Sequence, residues 1–379
     1  MEYKKLGDIA TYINGYAFKP EQRGSEGLPI IRIQDLTGNA YDLGYYNGDY
    51  PKKVELNDGD VLISWSASLG VYLWNRGKAL LNQHIFKVVF DKVEIDKFYF
   101  MYAVEYNLDK MSLKTHGATM KHITKKDFDN VVIPYPDLDY QKEVAYRLTS
   151  LKGIIENYKK QLDLLDELVK ARFVEMFGDP VTNDMLWNTD VLKDICTKIG
   201  SGSTPRGGKE SYIDEGISLI RSMNVHNAYF EYKDLAHITL DQAEKLNNVV
   251  VEHDDLLFNI TGASVARCCV VPSDVLPARV NQHVCILRCR EKINPIFLQG
   301  LLVNENYQGK LLQIAKSGAT REAINKQQLE SLEIIIPPLE LQNQFASFVQ
   351  EIDKSRSRIQ KSLEASQELF DSLMQEYFG

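Results

Sequence analysis

Cysteine is scarce in this chain of 379 residues: there are five, an odd number, and all of them lie in the second half. No two have the C-x-x-C spacing of redox and zinc motifs, so reduced thiols are favoured over disulfides or a zinc site. No apolar run approaches the roughly 20 residues that span a bilayer. The first residues lead into no apolar signal segment. These absences predict a cytoplasmic protein.

Catalytic motifs are missing as well. The stretch at 200–211 has glycines at the spacing of a phosphate-binding loop, but Gly208 stands where that loop needs its lysine. No dinucleotide-binding fingerprint, zinc-protease helix or serine-nucleophile elbow occurs. His84 and His283, each preceded by Asn-Gln, are expected to be hydrogen-bonded structural residues rather than bases. We therefore expect no catalytic residue, metal or cofactor in this chain.

Positive charge is concentrated locally although the net charge is −8. Residues 110–126 contain five lysines and no acidic residue, and residues 310–326 contain four basic residues and one glutamate. A basic patch on an acidic protein can still attract nucleic acid, because the potential that a ligand meets is local. A solvated lysine face is the ordinary alternative for each run. Their matched positions in the chain favour a shared role.

The sequence is a tandem repeat. The loop "GATMKHIT" at 117–124 is matched by "GATREAIN" at 318–325, and "NQH" occurs at 82–84 and again at 281–283. The offset between the halves grows from 186 residues (Leu6 to Leu192) to 201 residues (Gly117 to Gly318). Two copies of so large a unit indicate a duplication and not a solenoid of short repeats.

Each half ends in a long segment that contains no proline after Pro136 or Pro338. Apolar residues recur in both segments with the 3.5-residue period of a coiled coil. Arg356 and Ser366 interrupt the second pattern. A helix of about 36 residues would be roughly 54 Å long. The predicted seam consists of Leu148, Leu151, Ile155, Tyr158, Leu162, Leu165, Val169, Val349, Ile352, Ile359, Leu363, Phe370 and Leu373.

The whole chain resembles the specificity subunits of type I restriction–modification systems. The resemblance rests on the "NQH" strand starts, the repeated G-A-T-x-x-x-I loops, and the "IPYP" and "IPPLELQ" entries into the long helices. It also rests on "GYAFKPEQRGSEGLPIIRIQDL" and its counterpart in the second half, and on "FGDP" after the first helix. It implies two target-recognition domains that each read half of a bipartite DNA site. It also implies helical spacers that set the gap and bind two methyltransferase subunits, with motor-nuclease subunits completing the complex. S-adenosylmethionine, ATP and Mg²⁺ would belong to those partners.

The expected fold is α+β, with two tandem mixed α/β recognition domains. Each is followed by a long helix, and the two helices pair as an antiparallel coiled coil with pseudo-twofold symmetry. The predicted boundaries are 1–140 for the first recognition domain, 141–182 for its helical spacer, 183–340 for the second domain and 341–379 for the second spacer.

Two kinds of DNA contact are predicted. Residues shared by the halves should position the duplex, because the two half-sites usually differ and shared residues cannot read both. These candidates are Lys114, Gly117, Thr119, Lys121, Lys125, Lys316, Gly318, Thr320, Arg321 and Lys326, of which Lys121 and Arg321 also fit base reading. Polar residues in loops that diverge are the candidate base readers. They are Gln34, Asn39, Ser64, Ser66, His122, Arg206, Asn224, His226, Asn259, Thr261 and Arg267.

A second class of function stays open at this point. The chain could be a non-enzymatic coiled-coil adaptor that binds other proteins through two β-rich heads. A DNA reader differs from an adaptor in that its affinity for DNA falls steeply as salt rises.

Overall fold

The computed structural model describes residues 2–39, 42–114, 124–205, 207–316 and 322–379. The chain forms two units. The first unit contains residues 1–159 and 361–379, and the second contains residues 160–360. Each long helix therefore contributes residues to both units.

The first unit consists of three small sheets and of helices that lie between and after their strands. Its strands are β1 (Tyr3–Lys5), β2 (Thr11–Asn14), β3 (Leu28–Ile31), β4 (Gly44–Tyr46), β5 (Glu55–Leu56), β6 (Val61–Ser64), β7 (Gly70–Leu73), β8 (Ala79–Leu81), β9 (Ile85–Val89) and β10 (Val132–Pro134). Its helices are α1 (Leu6–Ile9), α2 (Ile33–Thr37), α3 (Lys97–Lys114), α4 (Lys125–Asp129) and the start of α5 (Leu138–Phe177). The sheet orders are β2-β9-β6-β7, β4-β3-β8-β5 and β1-β10.

The second unit repeats this order of strands with one addition, a hairpin. Its strands are β11 (Thr189–Val191), β12 (Cys196–Ser201), β13 (Ile217–Ile220), β14 (Val225–His226), β15 (Tyr229–Phe230), β16 (Ala236–Ile238), β17 (Val250–Val251), β18 (Leu256–Asn259), β19 (Cys268–Val270), β20 (Ala278–Val280), β21 (Val284–Cys289) and β22 (Glu333–Ile335). Its helices are α6 (Leu192–Ile195), α7 (Leu240–Glu244), α8 (Pro295–Leu302), α9 (Glu305–Lys316), α10 (Lys326–Glu330) and most of α11 (Leu339–Phe378).

The sheets of the second unit have the same topology as those of the first. Their orders are β12-β21-β18-β19, β16-β13-β20-β17 and β11-β22. Strands β13 and β20 are parallel, as are β3 and β8. The addition is the antiparallel hairpin β14-β15, in which His226 is opposite Tyr229. Between β3 and β4, the described part of the first unit has the short helix α2 and no such hairpin. The duplication inferred from the sequence is thus present in the fold.

Glycine occupies two matching positions at which the backbone closely approaches another segment of the chain. A Cβ on Gly15 would lie 1.9 Å from the carbonyl oxygen of Asn82, and one on Gly202 would lie 1.8 Å from that of Val280. No other residue fits either place without moving the backbone. The same close approach is therefore built into both units.

One helix expected from the sequence is interrupted. The pattern at 296–313, "IFLQGLLVNENYQGKLLQ", predicts a single helix before the second G-A-T loop, but this segment lies in α8 and α9 with a break between them. The Asn304 side chain accepts hydrogen bonds from the backbone N–H groups of Asn306 and Tyr307 at 3.1 and 3.3 Å. An asparagine that bonds the following backbone in this way starts a new helix. Its counterpart α3 in the first unit runs unbroken.

The long helices pack antiparallel. In the second unit, Phe173 of α5 is 5.5 Å from Phe345 of α11 between ring centroids. In the same unit, Asp166 forms an ion pair with Arg356 at 2.5 Å. The position on α5 thus falls as that on α11 rises. In the first unit, Arg147 of α5 donates to the Tyr377 hydroxyl of α11 at 3.3 Å. The predicted seam residues are all buried or half-buried, and most residues between them are exposed.

Each unit has a core completed by the C-terminal part of a long helix. In the first, Phe378 of α11 is 5.2 Å from Tyr99 of α3 between ring centroids. In the second, Phe177 of α5 is 4.8 Å from Phe297 of α8. Both phenylalanines are buried. Because Phe177 and Phe378 occupy the same place in the repeat, the two cores are completed in the same way.

Candidate nucleic-acid interface

The turn between β18 and β19, residues 260–267, lies beside the end of the second G-A-T loop. Thr261 and Ala323 form an antiparallel β-bridge. The N–H of Gly262 donates to the Glu322 carbonyl at 2.9 Å, and the N–H of Ile324 donates to the Ile260 carbonyl at 2.9 Å. This turn therefore fixes the position at which the chain leaves the loop.

A connected set of polar side chains borders the same turn. Thr204 donates to the side-chain oxygen of Gln282. The Gln282 Nε2 lies 3.1 Å from His283 Nε2, and His283 Nδ1 lies 2.6 Å from the Thr261 hydroxyl. The second "NQH" histidine is thus hydrogen-bonded through both ring nitrogens. The set links the glycine-rich loop at 200–205 to the turn at 260–267.

The hairpin β14-β15 adjoins this turn and is anchored by two buried asparagines. Asn224 donates to the Glu231 carbonyl at 2.9 Å and accepts from the backbone N–H of Arg221 at 3.1 Å. Asn259 donates to the carbonyls of Ser222 and Val225 at 2.9 and 3.3 Å. Both side chains are fully buried. In this conformation neither presents its amide to a DNA base, which favours structural roles for these two candidates.

The outer face of the hairpin carries His226 and Tyr229. Their ring centroids are 4.8 Å apart, and His226 Nδ1 lies 3.4 Å from a terminal nitrogen of Arg267. Tyr229 is about half exposed and donates to Glu231 at 2.7 Å. That hydrogen bond raises the pKa of Tyr229 to about 12, so the phenol stays protonated. His226 and Arg267 are among the base readers predicted from the sequence, whereas Tyr229 is not. Only the hairpin, which the sequence did not reveal, places it beside them.

The corresponding turn of the first unit, between β6 and β7, differs in chemistry. Its Trp65 ring packs edge-on against the His84 ring at 5.1 Å. Ser64 is buried and donates to the Ser68 carbonyl, and Ser66 is almost as deeply buried. Their burial favours structural roles for both serines. His84 Nδ1 is buried and has no hydrogen-bond partner among the described residues, in contrast to His283.

The remaining described candidates of the first unit lie in and after α2. Gln34 is exposed on that helix, and Asn39, also exposed, donates to the Thr37 hydroxyl at 3.2 Å. Arg32, just before the helix, forms a 3.0 Å ion pair with buried Asp35. That pair fixes the start of α2 and with it the position of Gln34. Both candidates are accessible and stay predictions.

Short capped helices follow the G-A-T loop in both units. The Thr124 hydroxyl accepts from the N–H of Asp127 at 3.2 Å, and Asn325 accepts from the N–H of Gln328 at 2.9 Å. Lys125 and Lys326 are the first residues of these helices, and both are largely exposed. Each lies 3.6–3.9 Å from an acidic residue four positions on. Such exposed pairs are weak, so both lysines can still contact a phosphate. Lys316, at the end of α9, is also exposed.

The other predicted DNA contacts fall outside the described residues. They are Gly117, Thr119, Lys121, His122, Arg206, Gly318, Thr320 and Arg321, together with the side chain of Lys114. Their roles stay predictions.

The described part of the chain contains no cluster of three or more His, Cys, Asp or Glu side chains placed to hold a metal. Four of the five cysteines are buried and Cys289 is half-buried. Burial raises the pKa of the Cys285 thiol to about 12 and that of Cys269 to a similar value. Such thiols remain protonated at neutral pH and are poor nucleophiles and ligands. Among the helices that the structure describes, none is long and apolar enough to cross a membrane.

The sequence of this chain is similar to those of known proteins. A family model described as "Type I restriction modification DNA specificity domain" matches residues 1–166 and 185–367. The chain is 24% identical to the EcoBI type I restriction enzyme specificity subunit of Escherichia coli, over 94% of this chain and 80% of that protein. It is 22% identical to the MjaVIII specificity subunit of Methanocaldococcus jannaschii, over 95% and 89%.

A crystal structure of a type I restriction–modification S subunit from M. genitalium has the same fold. The TM-score is 0.63 at 14% sequence identity, and the match covers 100% of this chain and 96% of the other. A chain from a structure describing assembly and conformational transition of the type I restriction–modification system matches with a TM-score of 0.57 at 16% identity. That match covers 99% of this chain and 97% of the other.

Proposed function

Because this chain belongs to the family of type I restriction–modification DNA specificity proteins, we propose that it selects the DNA sequence on which a type I complex acts. Each unit reads one half of a bipartite site, and the paired helices set the gap between the halves. This proposal rests on one observation: the same fold occurs twice in the chain, with different polar side chains at matching turns. The sheet topology is the same in both units, while the side chains of the turn between β6 and β7 differ from those of the turn between β18 and β19.

The chemistry is assigned to partner subunits. Two methyltransferase subunits would bind the helical spacers and use S-adenosylmethionine to methylate adenine. Motor-nuclease subunits would supply ATP-dependent cleavage with Mg²⁺. Helix α5 offers a surface for such a subunit outside its seam, where Leu164 and Leu168, one turn apart, are each about half exposed. Exposed leucines at this spacing are suited to packing against another helix.

Mapping of methylated adenines tests the proposal. The chain and its methyltransferase are produced in cells that lack other DNA modification, and the methylated positions are sequenced. We expect one bipartite motif with a fixed gap, present only when this chain is present. Methylation that is absent, or independent of this chain, would refute the proposal.

The protein-binding adaptor makes a different prediction, and the family relationship does not favour it. An adaptor has no salt-dependent affinity for DNA. For the assembled complex we expect the logarithm of the DNA binding constant to fall linearly with the logarithm of salt concentration. A DNA affinity that is negligible at low salt would favour the adaptor.

A further inference from the structure

We propose that Arg267 reads a guanine in the second half-site and that the hairpin β14-β15 positions it through His226. This inference rests on the proposed function and narrows it to one side chain and one kind of base. Three observations carry it: the unused donors of Arg267, its place beside the G-A-T loop, and the difference between the two units at this position.

The guanidinium of Arg267 is available. Its one hydrogen-bond partner among the described residues is His226, and none of their carboxylates lies within salt-bridge distance. Two other arginines of this unit, Arg288 and Arg279, use their donors within the fold. Arg288 is paired with buried Asp255 at 2.8 Å, and Arg279 donates to Ala243 and Asn247 at 3.1 and 3.0 Å. An arginine with most of its donors unused has the planar fork that fits the O6 and N7 acceptors of guanine.

The position of Arg267 fits a base reader. It is half-buried at the end of the 260–267 turn, whose other side is bridged to Ala323, near the end of the G-A-T loop. The side chain is also braced: His226 contacts it, and Tyr229 packs on His226 from the opposite strand of the hairpin. The hairpin tip is fixed by the N–H of Ala228, which donates to the Cys268 carbonyl at 2.8 Å. Bracing of this kind lowers the cost of ordering a long side chain on the DNA.

The first unit has a different residue at this position. In the β18-β19 pair, Leu256 is opposite Val270 and Phe258 is opposite Cys268. The next pair in that register is Asn259 with Arg267. The matching pair in the first unit is Ser64 with Gly70. An arginine opposite the strand end in one unit and a glycine in the other is the pattern expected of a residue that reads only one half-site.

The test uses the full chain assembled with its methyltransferase, and the readout is the set of methylated sites in a library of randomised half-sites. Arg267→Ala should relax one G·C position of the second half-site and leave the first half-site unchanged. Removing a bidentate pair of hydrogen bonds to a base costs about 1–3 kcal/mol, so discrimination at that position should fall roughly five- to 150-fold. His226→Ala should relax the same position by less, since it removes only the brace. Arg267→Lys keeps the charge without the fork and should retain part of the preference.

Tyr232→Ala is the control for a substitution elsewhere on the same unit, because Tyr232 is half exposed and donates to Asp274 at 3.0 Å. It should leave both half-sites unchanged. If Arg267→Ala does not assemble, the Arg267→Lys and His226→Ala variants still address the same position. Unchanged discrimination at every position in the variants that assemble would overturn the inference, as would relaxation of the first half-site. If the unaltered chain directs no bipartite methylation, the proposed function itself fails, and that result is distinct from either of these.

Discussion

Removing the last residues of the chain should destabilise the first unit and spare the second. Residues 361–379 belong to the first unit although they are farthest from it in sequence. Three of them, Met374, Tyr377 and Phe378, are at most 8% exposed and belong to its core. The apolar cores of the second unit include no residue beyond 360.

The magnitude follows from these buried side chains. Removing a large buried apolar side chain costs about 2–5 kcal/mol, so losing all three costs roughly 6–15 kcal/mol. The whole stability of a domain is only about 5–15 kcal/mol. A chain ending at residue 360 should therefore have an unfolded or barely stable first unit. The single change Phe378→Ala should cost about 3–5 kcal/mol there, and Phe177→Ala should cost a similar amount in the second unit.

Amide hydrogen exchange, read by mass spectrometry, separates the two units. Truncation and Phe378→Ala should accelerate exchange in β6 and β9, and Phe177→Ala should accelerate it in β18 and β21. Leu369→Ala is the control, because Leu369 lies on the same helix but is 52% exposed. The reasoning is wrong if truncation accelerates exchange in β18 and β21, or if Phe177→Ala and Phe378→Ala affect the same strands.

Three further predictions concern the frame and the basic loops. Gly202→Ala should lower the melting temperature of the second unit, since the new Cβ meets a carbonyl and overpacking costs about 1–3 kcal/mol or more. Gly200→Ala, with open space around its Cβ, should not. Asp255→Ala should destabilise its unit by about 3–5 kcal/mol in urea titrations, because it leaves Arg288 without its fully buried carboxylate. Asp60→Ala removes the carboxylate that pairs with Lys87 in the first unit, and it should cost less because Asp60 is less buried than Asp255. Lys125→Ala with Lys326→Ala should reduce the salt slope of DNA binding by about 0.9 for each phosphate that is no longer neutralised, with the melting temperature unchanged. An unaltered slope with a lowered melting temperature would make those lysines structural.

The strands and long helices were accessible from sequence because their signals are local. The runs at 61–64 and 85–89 form β6 and β9, as their apolar content predicts. The helices α5 and α11 begin two residues or fewer after the proline pairs that bound them. The heptad spacing also describes which residues are buried along both helices, with Arg356 accommodated by its ion pair to Asp166.

The interface was less accessible because its geometry comes from tertiary contacts. Asparagine is a residue type that can read bases, but the side-chain amides of Asn224 and Asn259 donate to backbone carbonyls instead. A single sequence does not distinguish an asparagine that bonds backbone from one that bonds DNA. The break between α8 and α9 was missed for a similar reason, because the Asn304 cap lies within an otherwise helical pattern.

The duplication explains how one frame can serve two readers. Some residues on which the units agree have structural tasks. Gly15 and Gly202 admit the opposite backbone, and Arg32 and Arg221 both donate to a carbonyl of the following loop. At the turn that follows the matching strands β6 and β18 the units differ, with Gly70 in the first unit and Arg267 in the second. A residue that has no structural role can change with the DNA sequence to be read, while the shared fold keeps its position in the unit.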